Sequence, residues 1–200
     1  MTFDAALRKR LLAAIAERII AHSDELTALD SAIGDGDHGH NMKRGFEAVR
    51  DSLDAFAEMG LPEMLKAVGM KLVSTVGGAS GPLYGTLFMA IGKGMPERPT
   101  RAESEAAFAQ GLAAVKARGK SDVGQKTMLD VLAPALAAFE AGSDAPALAQ
   151  AAERAAEATA PLRATRGRAS FLGERSIGHV DPGARSSALM ISALCEEWTR

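Results

Sequence analysis

The sequence predicts an all-α fold in a single domain spanning residues 1–200. Apolar residues recur at spacings of three and four along most of the chain, which is the period of an amphipathic helix. Proline, glycine and capping residues mark the ends of these stretches. The best candidate for a β-strand, KLVSTV, continues the helical pattern before it and has no partner of similar type. Short connections between consecutive helices predict that the helices pack antiparallel.

Eight helices are expected from these patterns. The first carries a stripe of leucine and isoleucine from Leu7 to Ile19 and ends near His22. The second follows an acidic loop and carries apolar residues from Met42 to Phe56. Pro134 falls inside the sixth helix and predicts a kink there. The third to eighth helices are expected at residues 62–76, 80–94, 100–119, 126–142, 144–163 and 181–198.

The composition excludes several classes of protein. A net charge of -2 and 4% aromatic residues provide neither the positive surface nor the stacking side chains that nucleic-acid binding requires. The single cysteine, Cys195, excludes an internal disulfide and indicates a reducing compartment. Charged residues interrupt the apolar N-terminal stretch, so neither a signal peptide nor a membrane span is expected. The sequence therefore predicts a cytoplasmic protein with no nucleic-acid or membrane partner.

Three aspartates, Asp30, Asp35 and Asp37, crowd the segment LDSAIGDGDHGHNM. Like charges this close destabilise a loop unless a cation neutralises them, and carboxylate oxygens suit magnesium or calcium. An EF-hand is excluded, because His40 and Phe46 occupy the positions where that motif needs glycine and glutamate. Magnesium fits better, since it binds through a few carboxylates and leaves positions for substrate phosphates. The alternative is a solvated turn in which Asp37 caps the following helix.

Two loops that lead into helices suit parts of a nucleotide. The loop VGGASGPLYG precedes the fourth helix, whose N-terminal amides and positive dipole end favour phosphate. No GK[ST] sequence follows its glycines, so it is not a Walker A loop, and a tight turn between helices is the alternative. The loop ARGKSDVGQKTMLD places Met128 where it could line an adenine pocket, although methionine at a helix start is also a common core residue.

The stretch RATRGRASFLGERSIGHVDPGARSS, between the seventh and eighth helices, begins with about twenty residues that have no periodic core. Loops of this length inside compact domains are usually functional or disordered. The fork of a guanidinium group suits phosphate, and four arginines crowd this loop: Arg163, Arg166, Arg168 and Arg175. The alternative is a solvated basic loop paired with Glu174 and Asp181.

Four segments together resemble the family of the ADP-binding L subunit of dihydroxyacetone kinase, in that family's order and spacing: LDSAIGDGDHGHNM, GGASGPLYGTLF, KTMLD and GRASFLGERSIGHVDPGARSS. The resemblance covers nearly the whole chain. It implies an antiparallel barrel of eight helices with the nucleotide at one end, which agrees with the helix count from periodicity. The chain departs from the family at Gln125, where aspartate is common, and this departure affects a local polar contact.

The resemblance also implies roles for individual residues. Asp30, Asp35 and Asp37 are expected to hold two magnesium ions. The residues expected to bind ADP or ATP are His38, Gly39, His40 and Asn41 along the phosphates, Ala79 and Ser80 in the glycine loop, Gly119 and Met128 beside the base, Arg168, and Asp181, Pro182 and Gly183 at the edge of the pocket.

The implied activity is phosphoryl transfer to dihydroxyacetone, which a separate K subunit holds. The phosphoryl group comes either from magnesium-bound ATP or from bound ADP that a protein of the phosphoenolpyruvate-dependent phosphotransferase system rephosphorylates. The resemblance also allows a homodimer and a transcription regulator as partners. Alternative functions are the L subunit of a kinase for another ketose or tetrose, the nucleotide-binding domain of a fatty-acid kinase, and a nucleotide-sensing regulatory subunit without transfer activity.

Overall fold

The computed structural model of the protein describes residues 4–200, which form ten α-helices and one 3₁₀ helix without any β-strand. This confirms the all-α expectation. Among these residues no helix is both long and apolar enough to cross a bilayer. The elements are α1 (Ala5–Ala21), α2 (Ser23–Ile33), α3 (His38–Arg50), α4 (Leu53–Ala57), α5 (Leu61–Thr75), α6 (Ser80–Gly94), α7 (Arg101–Gly119), α8 (Leu129–Glu140), α9 (Ala145–Glu157), the 3₁₀ helix (Arg168–Ser176) and α10 (Pro182–Trp198).

Eight helices form a closed ring in which each packs against the next, in the order α1, α3, α5, α6, α7, α8, α9 and α10, and α10 returns to α1. Close contacts show antiparallel packing of α5 and α6. Gly92, near the end of α6, approaches Pro62 at the start of α5, and Gly81 approaches Val76 at the opposite ends of the two helices. The predicted eight-helix antiparallel barrel is therefore confirmed. Two additional helices lie beside it, α2 against α3 and the 3₁₀ helix, and α4 against α1 and α5.

The apolar faces of the ring helices fill the interior of the barrel. One cluster joins buried side chains from successive helices, including Ile19, Phe46, Leu72, Leu132 and Leu189. Full burial of a side chain of this size stabilises the fold by about 1.5–3 kcal/mol. Every ring helix except α9 contributes side chains to this cluster, and α9 instead buries Ala152 and Ala156 in a smaller cluster with residues of α8 and α10. The polar loops between the helices stay at the two ends of the barrel.

Helix boundaries differ from the prediction at several places. The expected sixth helix begins later, at Leu129, and the expected seventh ends earlier, at Glu157. The segment Ser23–Ile33 forms α2, which periodicity does not predict because Leu26 and Ile33 are its only buried large apolar side chains. No proline or glycine separates α2 from α1. Asp30 consequently lies in a helix and not in the acidic loop. The predicted second helix is interrupted at residues 51–52 and forms two helices, α3 and α4.

The alternating direction of the ring helices brings the starts of α3, α6, α8 and α10 to one end of the barrel, here called the site end. The connections at residues 34–37, 76–79, 120–128 and 158–181 lie there, and they contain most of the candidate residues from the sequence. Direct contacts join three of these helices, since His38 of α3 contacts Ser80 of α6 and Ser186 of α10. At the opposite end of the barrel, Thr100 and Glu103 form a capping box at the start of α7.

Gly85 allows the close crossing of α5 and α6. A Cβ atom at this position would lie 2.3 Å from Val73 Cγ2 and 2.7 Å from the carbonyl oxygen of Gly69. We therefore expect Gly85→Ala to destabilise the protein by about 1–3 kcal/mol, although alanine is intrinsically about 1 kcal/mol better than glycine in a helix. Urea unfolding measures the difference.

The matched control is Gly94→Ala at the end of the same helix, where the added Cβ would meet the movable side chain of Gln110. This variant should retain the stability of the unsubstituted protein. Equal stability of the two alanine variants would contradict a steric role for Gly85.

Candidate functional site

Three carboxylates converge at the site end. Asp30 comes from α2, and Asp35 and Asp37 come from the connection between α2 and α3. One ligand oxygen from each lies within 4.8 Å of the others, with Asp30 buried and the other two exposed. Within residues 4–200, no other group of three histidine, cysteine or acidic side chains has this arrangement. The structure thus brings together the three residues that the sequence predicts as metal ligands.

The hydrogen bonds of Asp30 decide how the cluster is built. Its Oδ2 accepts from the backbone amides of Asp37 at 2.8 Å and His38 at 3.1 Å. Asp37 occupies the N-cap position of α3, but its carboxylate accepts no hydrogen bond from the amides of that helix. The alternative reading of Asp37 as an ordinary helix cap is therefore wrong for its side chain, which remains available to a cation.

The charge of the cluster also fits a divalent cation. The only ion pair that these aspartates make within residues 4–200 joins Asp35 Oδ2 to Arg168 Nη2, at 3.3 Å. This guanidinium is 70% exposed, so solvent screens the pair. One screened positive charge does not balance three carboxylates, and their oxygens are the ligands that magnesium and calcium prefer. Asp30, Asp35 and Asp37 would hold such an ion.

The glycine loop lies directly beside this cluster. A Cβ atom at Gly77 would lie 2.4 Å from Asn41 Oδ1, and Gly78 has a positive φ of 65°. The positive φ favours glycine at position 78, and the close approach at Gly77 shows that the loop packs against the first turn of α3. The N-cap residue of α6, Ala79, has no side chain that could accept from the first amides of the helix. The start of α6 therefore offers backbone donors to an anion beside the carboxylates.

His38 joins three helix starts. Its Nδ1 lies 3.0 Å from Ser80 Oγ, and its Nε2 lies 3.0 Å from Ser186 Oγ. Burial lowers the pKa of His38 despite the nearby carboxylates of Asp30 and Asp37, so the imidazole is neutral at pH 7. Both ring nitrogens are thus engaged by protein hydroxyl groups. Among its neighbours, Asn41 is buried and accepts from Arg44 Nη2, Gly39 is buried against α2, and His40 is exposed.

The starts of α8 and α10 meet on the other side of the site. Met128 is buried at the N-cap position of α8, and a Cβ atom at Gly183 would lie 3.5 Å from its backbone nitrogen. Asp181 caps α10 by accepting from the amide of Ala184 at 2.7 Å. Gly119 ends α7 and packs towards Leu83 of α6. The structure therefore groups Met128 with residues 181–183, whereas Gly119 lies on a neighbouring helix end.

The model of the DAK2 domain matches residues 32–196 of the chain. The chain belongs to the DAK2 domain family. This confirms the resemblance on which the implied roles of the site residues depend.

Curated relatives of this DAK2 domain include two bacterial proteins of similar length. It is 43% identical over 197 residues to the ADP-binding subunit DhaL of PEP-dependent dihydroxyacetone kinase 1 from Listeria innocua, covering 98% of both chains. It is 46% identical over 180 residues to the ADP-binding subunit DhaL of the PTS-dependent dihydroxyacetone kinase from Lactococcus lactis, covering 90% of this chain and 91% of the relative.

A solved structure shows the same fold. The dihydroxyacetone kinase of C. freundii in complex with AMP-PNP and Mg²⁺ matches with a TM-score of 0.78 and 27% identity. The match covers 96% of this DAK2 domain and 34% of the kinase chain, so the domain spans about a third of that longer protein.

Several polar residues of the site were not anticipated from the sequence of the DAK2 domain. Tyr84 is buried, and its hydroxyl lies 2.7 Å from Ser186 Oγ and 2.9 Å from the carbonyl oxygen of Gly183. Lys126 is also buried. Paired serines in the otherwise apolar α10, and a lysine followed directly by an apolar helix, are the signals that could have indicated them. At Gln125, the side chain accepts from the amide of Asp122 at 2.9 Å, so a local polar contact is present there.

Asp181 should make the stability of the DAK2 domain depend on pH. Burial, together with nearby Asp130, raises the pKa of this carboxyl to about 7 against the opposing effects of the helix amides and Lys126. The folded state then binds the proton more tightly than the unfolded state, so this contribution to stability is lost as the pH rises from about 4 to 7. Asp181→Asn keeps a capping acceptor and removes the titration.

We expect the free energy of unfolding of Asp181→Asn, relative to the unsubstituted protein, to increase by about 2–3 kcal/mol between pH 5 and pH 8. Urea unfolding at several pH values in chelator measures it. The control is Asp144→Asn, since Asp144 caps α9 in the same way but is exposed. Parallel curves for the Asp181 variant and the unsubstituted protein would contradict the raised pKa.

Proposed function

We propose that this chain is the ADP-binding, phosphoryl-donating subunit of a dihydroxyacetone kinase, and that it acts in the cytoplasm. The observation that carries the proposal is the meeting of three carboxylates, Asp30, Asp35 and Asp37, with the uncapped start of α6. A magnesium-nucleotide needs both features, because its phosphates accept backbone hydrogen bonds while its cation requires oxygen ligands. The relatives named as ADP-binding subunits support the same function.

Each part of the proposed site has a distinct task. The three aspartates hold two magnesium ions, which would neutralise charge on the phosphates during transfer. The amides at Ala79 and Ser80 and the first turn of α3, residues 38–41, orient the phosphates. Met128 and Gly119 flank the base, while Arg168 and residues 181–183 bound the remaining side of the pocket. Positioning and charge neutralisation supply most of the rate in phosphoryl transfer, so no nucleophile is required from this chain.

The acceptor is proposed to lie on a separate K subunit that docks at the site end. Exposed apolar side chains on two loops at this end support a protein partner: Val123 at 46%, Phe171 at 85% and Ile177 at 45% exposure. Large apolar groups exposed in this way are typical of interaction surfaces. Docking there would bring a bound ketose to the phosphates and exclude water from the reaction.

The donor is proposed to be a phosphoprotein of the phosphoenolpyruvate-dependent phosphotransferase system. Curated relatives that match this chain over nearly their full length are named PEP- or PTS-dependent kinases. In that version of the reaction, ADP stays on the subunit as a cofactor and is rephosphorylated in place.

Asp35→Asn tests the metal assignment. Loss of one of three ligand charges should weaken magnesium-dependent binding of ADP by about a hundredfold, as measured by calorimetry with and without chelator. The control is Asp51→Asn, because Asp51 is exposed at the opposite end of α3 and pairs only with Arg50 among the described residues. Unchanged ADP affinity in the Asp35 variant would exclude the proposed metal site.

Reconstitution with a K subunit tests the reaction itself. We expect phosphorylation of dihydroxyacetone when phosphoenolpyruvate and the phosphotransferase proteins are present, and little product with ATP alone. Product formation with ATP alone would identify a freely exchanging donor instead. The pair made with the Asp35→Asn variant is the control for activity from contaminants. Absence of transfer under both conditions would refute the donating role and favour a regulatory subunit.

A further inference from the structure

Lys126 is a buried cation that the proposed phosphoryl transfer does not use. The residue is 1% exposed, and its ammonium group is enclosed by main-chain carbonyl oxygens. Nζ donates to Ser176 at 2.7 Å, to Leu162 at 3.0 Å and to Ala160 at 3.2 Å. An ammonium group has three N–H donors, and each of them is satisfied by one of these three carbonyls.

All three carbonyls belong to the connection between α9 and α10. Ala160 and Leu162 lie shortly after α9, whereas Ser176 is the last residue of the 3₁₀ helix. The hydroxyl of Ser176 also accepts from the amide of Ala164 and donates to the carbonyl of Gly173. Hydrogen bonds from a single ammonium group therefore hold residues near the start of this connection close to Ser176 near its end.

The backbone of Lys126 is held in an unusual conformation. Its φ is 62°, in the left-handed region that side-chain-bearing residues rarely adopt. The carbonyl of the preceding residue, Gln125, accepts from the amide of Thr165 at 3.3 Å. Backbone and side chain thus attach to the same connection. Conformations of this kind persist where the surroundings impose them, and they concentrate at functional sites.

The electrostatic setting indicates a role in positioning. Within residues 4–200, no carboxylate lies at ion-pair distance from Lys126, and the charged group that faces it is Asp181 at the start of α10. Burying a cation without a direct ion pair is costly, and an apolar side chain of similar length would avoid that cost. An apolar side chain could not, however, hold three carbonyls at defined places.

The connection has few other interior attachments. Its apolar cluster is small and consists of Ala164 and Ala169 packed with Ile33 of α2, together with the partly buried Leu172. Most of its other side chains are exposed, including Arg168, which reaches Asp35 of the acidic cluster. Because few apolar side chains of residues 158–181 are buried, the hydrogen bonds from Lys126 contribute much of what keeps this connection ordered.

We propose that Lys126 is a positioning residue that clips the connection of residues 158–181 to the start of α8, and so sets Arg168 and residues 181–183 against Met128. The inference rests on the proposed nucleotide site, because those residues form the pocket edge in that proposal. Lys126 does not touch the nucleotide in this role. It determines the distance between the two sides of the pocket.

Lys126→Met tests the clip, because methionine retains an apolar stem but has no donor. Two measurements are made on the full chain: affinity for Mg·ADP by calorimetry, and the rate of tryptic cleavage after the exposed residues Arg166, Arg168 and Arg175. We expect the affinity to fall about tenfold and cleavage in this segment to accelerate by a similar factor. Lys126→Arg, which keeps the charge but not the three-carbonyl geometry, should show the same effects to a smaller extent.

The control for a general loss of stability is Val49→Ala. Val49 is fully buried near the C-terminal end of α3, away from the site end. Its truncation should lower the melting temperature while leaving Mg·ADP affinity and cleavage of the connection unchanged. If Lys126→Met does not fold, Lys126→Arg is compared with Val49→Ala in the same two measurements.

The outcomes separate the clip from the proposed function. Unchanged affinity and unchanged cleavage in the Lys126 variants would overturn the clip, and so would an equal loss of affinity in Val49→Ala at matched melting temperature. Failure of the unsubstituted protein to bind Mg·ADP would refute the proposed function instead. In that case the comparison of cleavage rates still decides whether Lys126 orders the connection.

Discussion

The antiparallel order of the helices around a closed ring is the constraint on which the site depends. It brings the starts of α3, α6, α8 and α10 to one end of the barrel. Each helix start has amides without intrahelical partners and carries about half a positive charge. Four such starts favour an anion at this end before any side chain is considered. The carboxylates of Asp30, Asp35 and Asp37 then add a place for the cation that a nucleotide brings with it.

The same arrangement explains why so many polar groups are buried close to the site. His38, Lys126 and Asp181 lie at or just before helix starts, and each makes a hydrogen bond to a distant part of the chain. Burial of a polar group is tolerated where its hydrogen bonds are made, and a satisfied network specifies one arrangement of the chain. The polar network thus fixes the relative positions of the helix starts, while the apolar cluster within the ring supplies most of the stability.

Much of the fold follows from local sequence because each ring helix buries one apolar face, and this leaves a stripe such as Leu7 to Ile19. The segment Ser23–Ile33 packs mainly against α3, has a narrower stripe and was missed. The types of residue at the site were also predicted from the sequence. Aspartates between glycines indicate a metal site, and a glycine loop before a helix indicates a phosphate site. The burial of Lys126 was not predicted, because a lysine before an apolar helix is only a weak local signal and the carbonyls that surround its ammonium group are distant in sequence.

The sequence by itself determined the helical class, the eight ring helices and the family, because these depend on local periodicity and on short motifs. Only the tertiary structure decided what the polar residues contact. His38 meets Ser186 across 148 positions of the chain, and the carbonyls that hold Lys126 lie 34 to 50 positions away. The tertiary structure also decided that the carboxylate of Asp30 accepts hydrogen bonds from the amides of Asp37 and His38. The side chain of Asp37 makes no capping hydrogen bond to α3. Such contacts form when the ring closes, and so no local pattern encodes them.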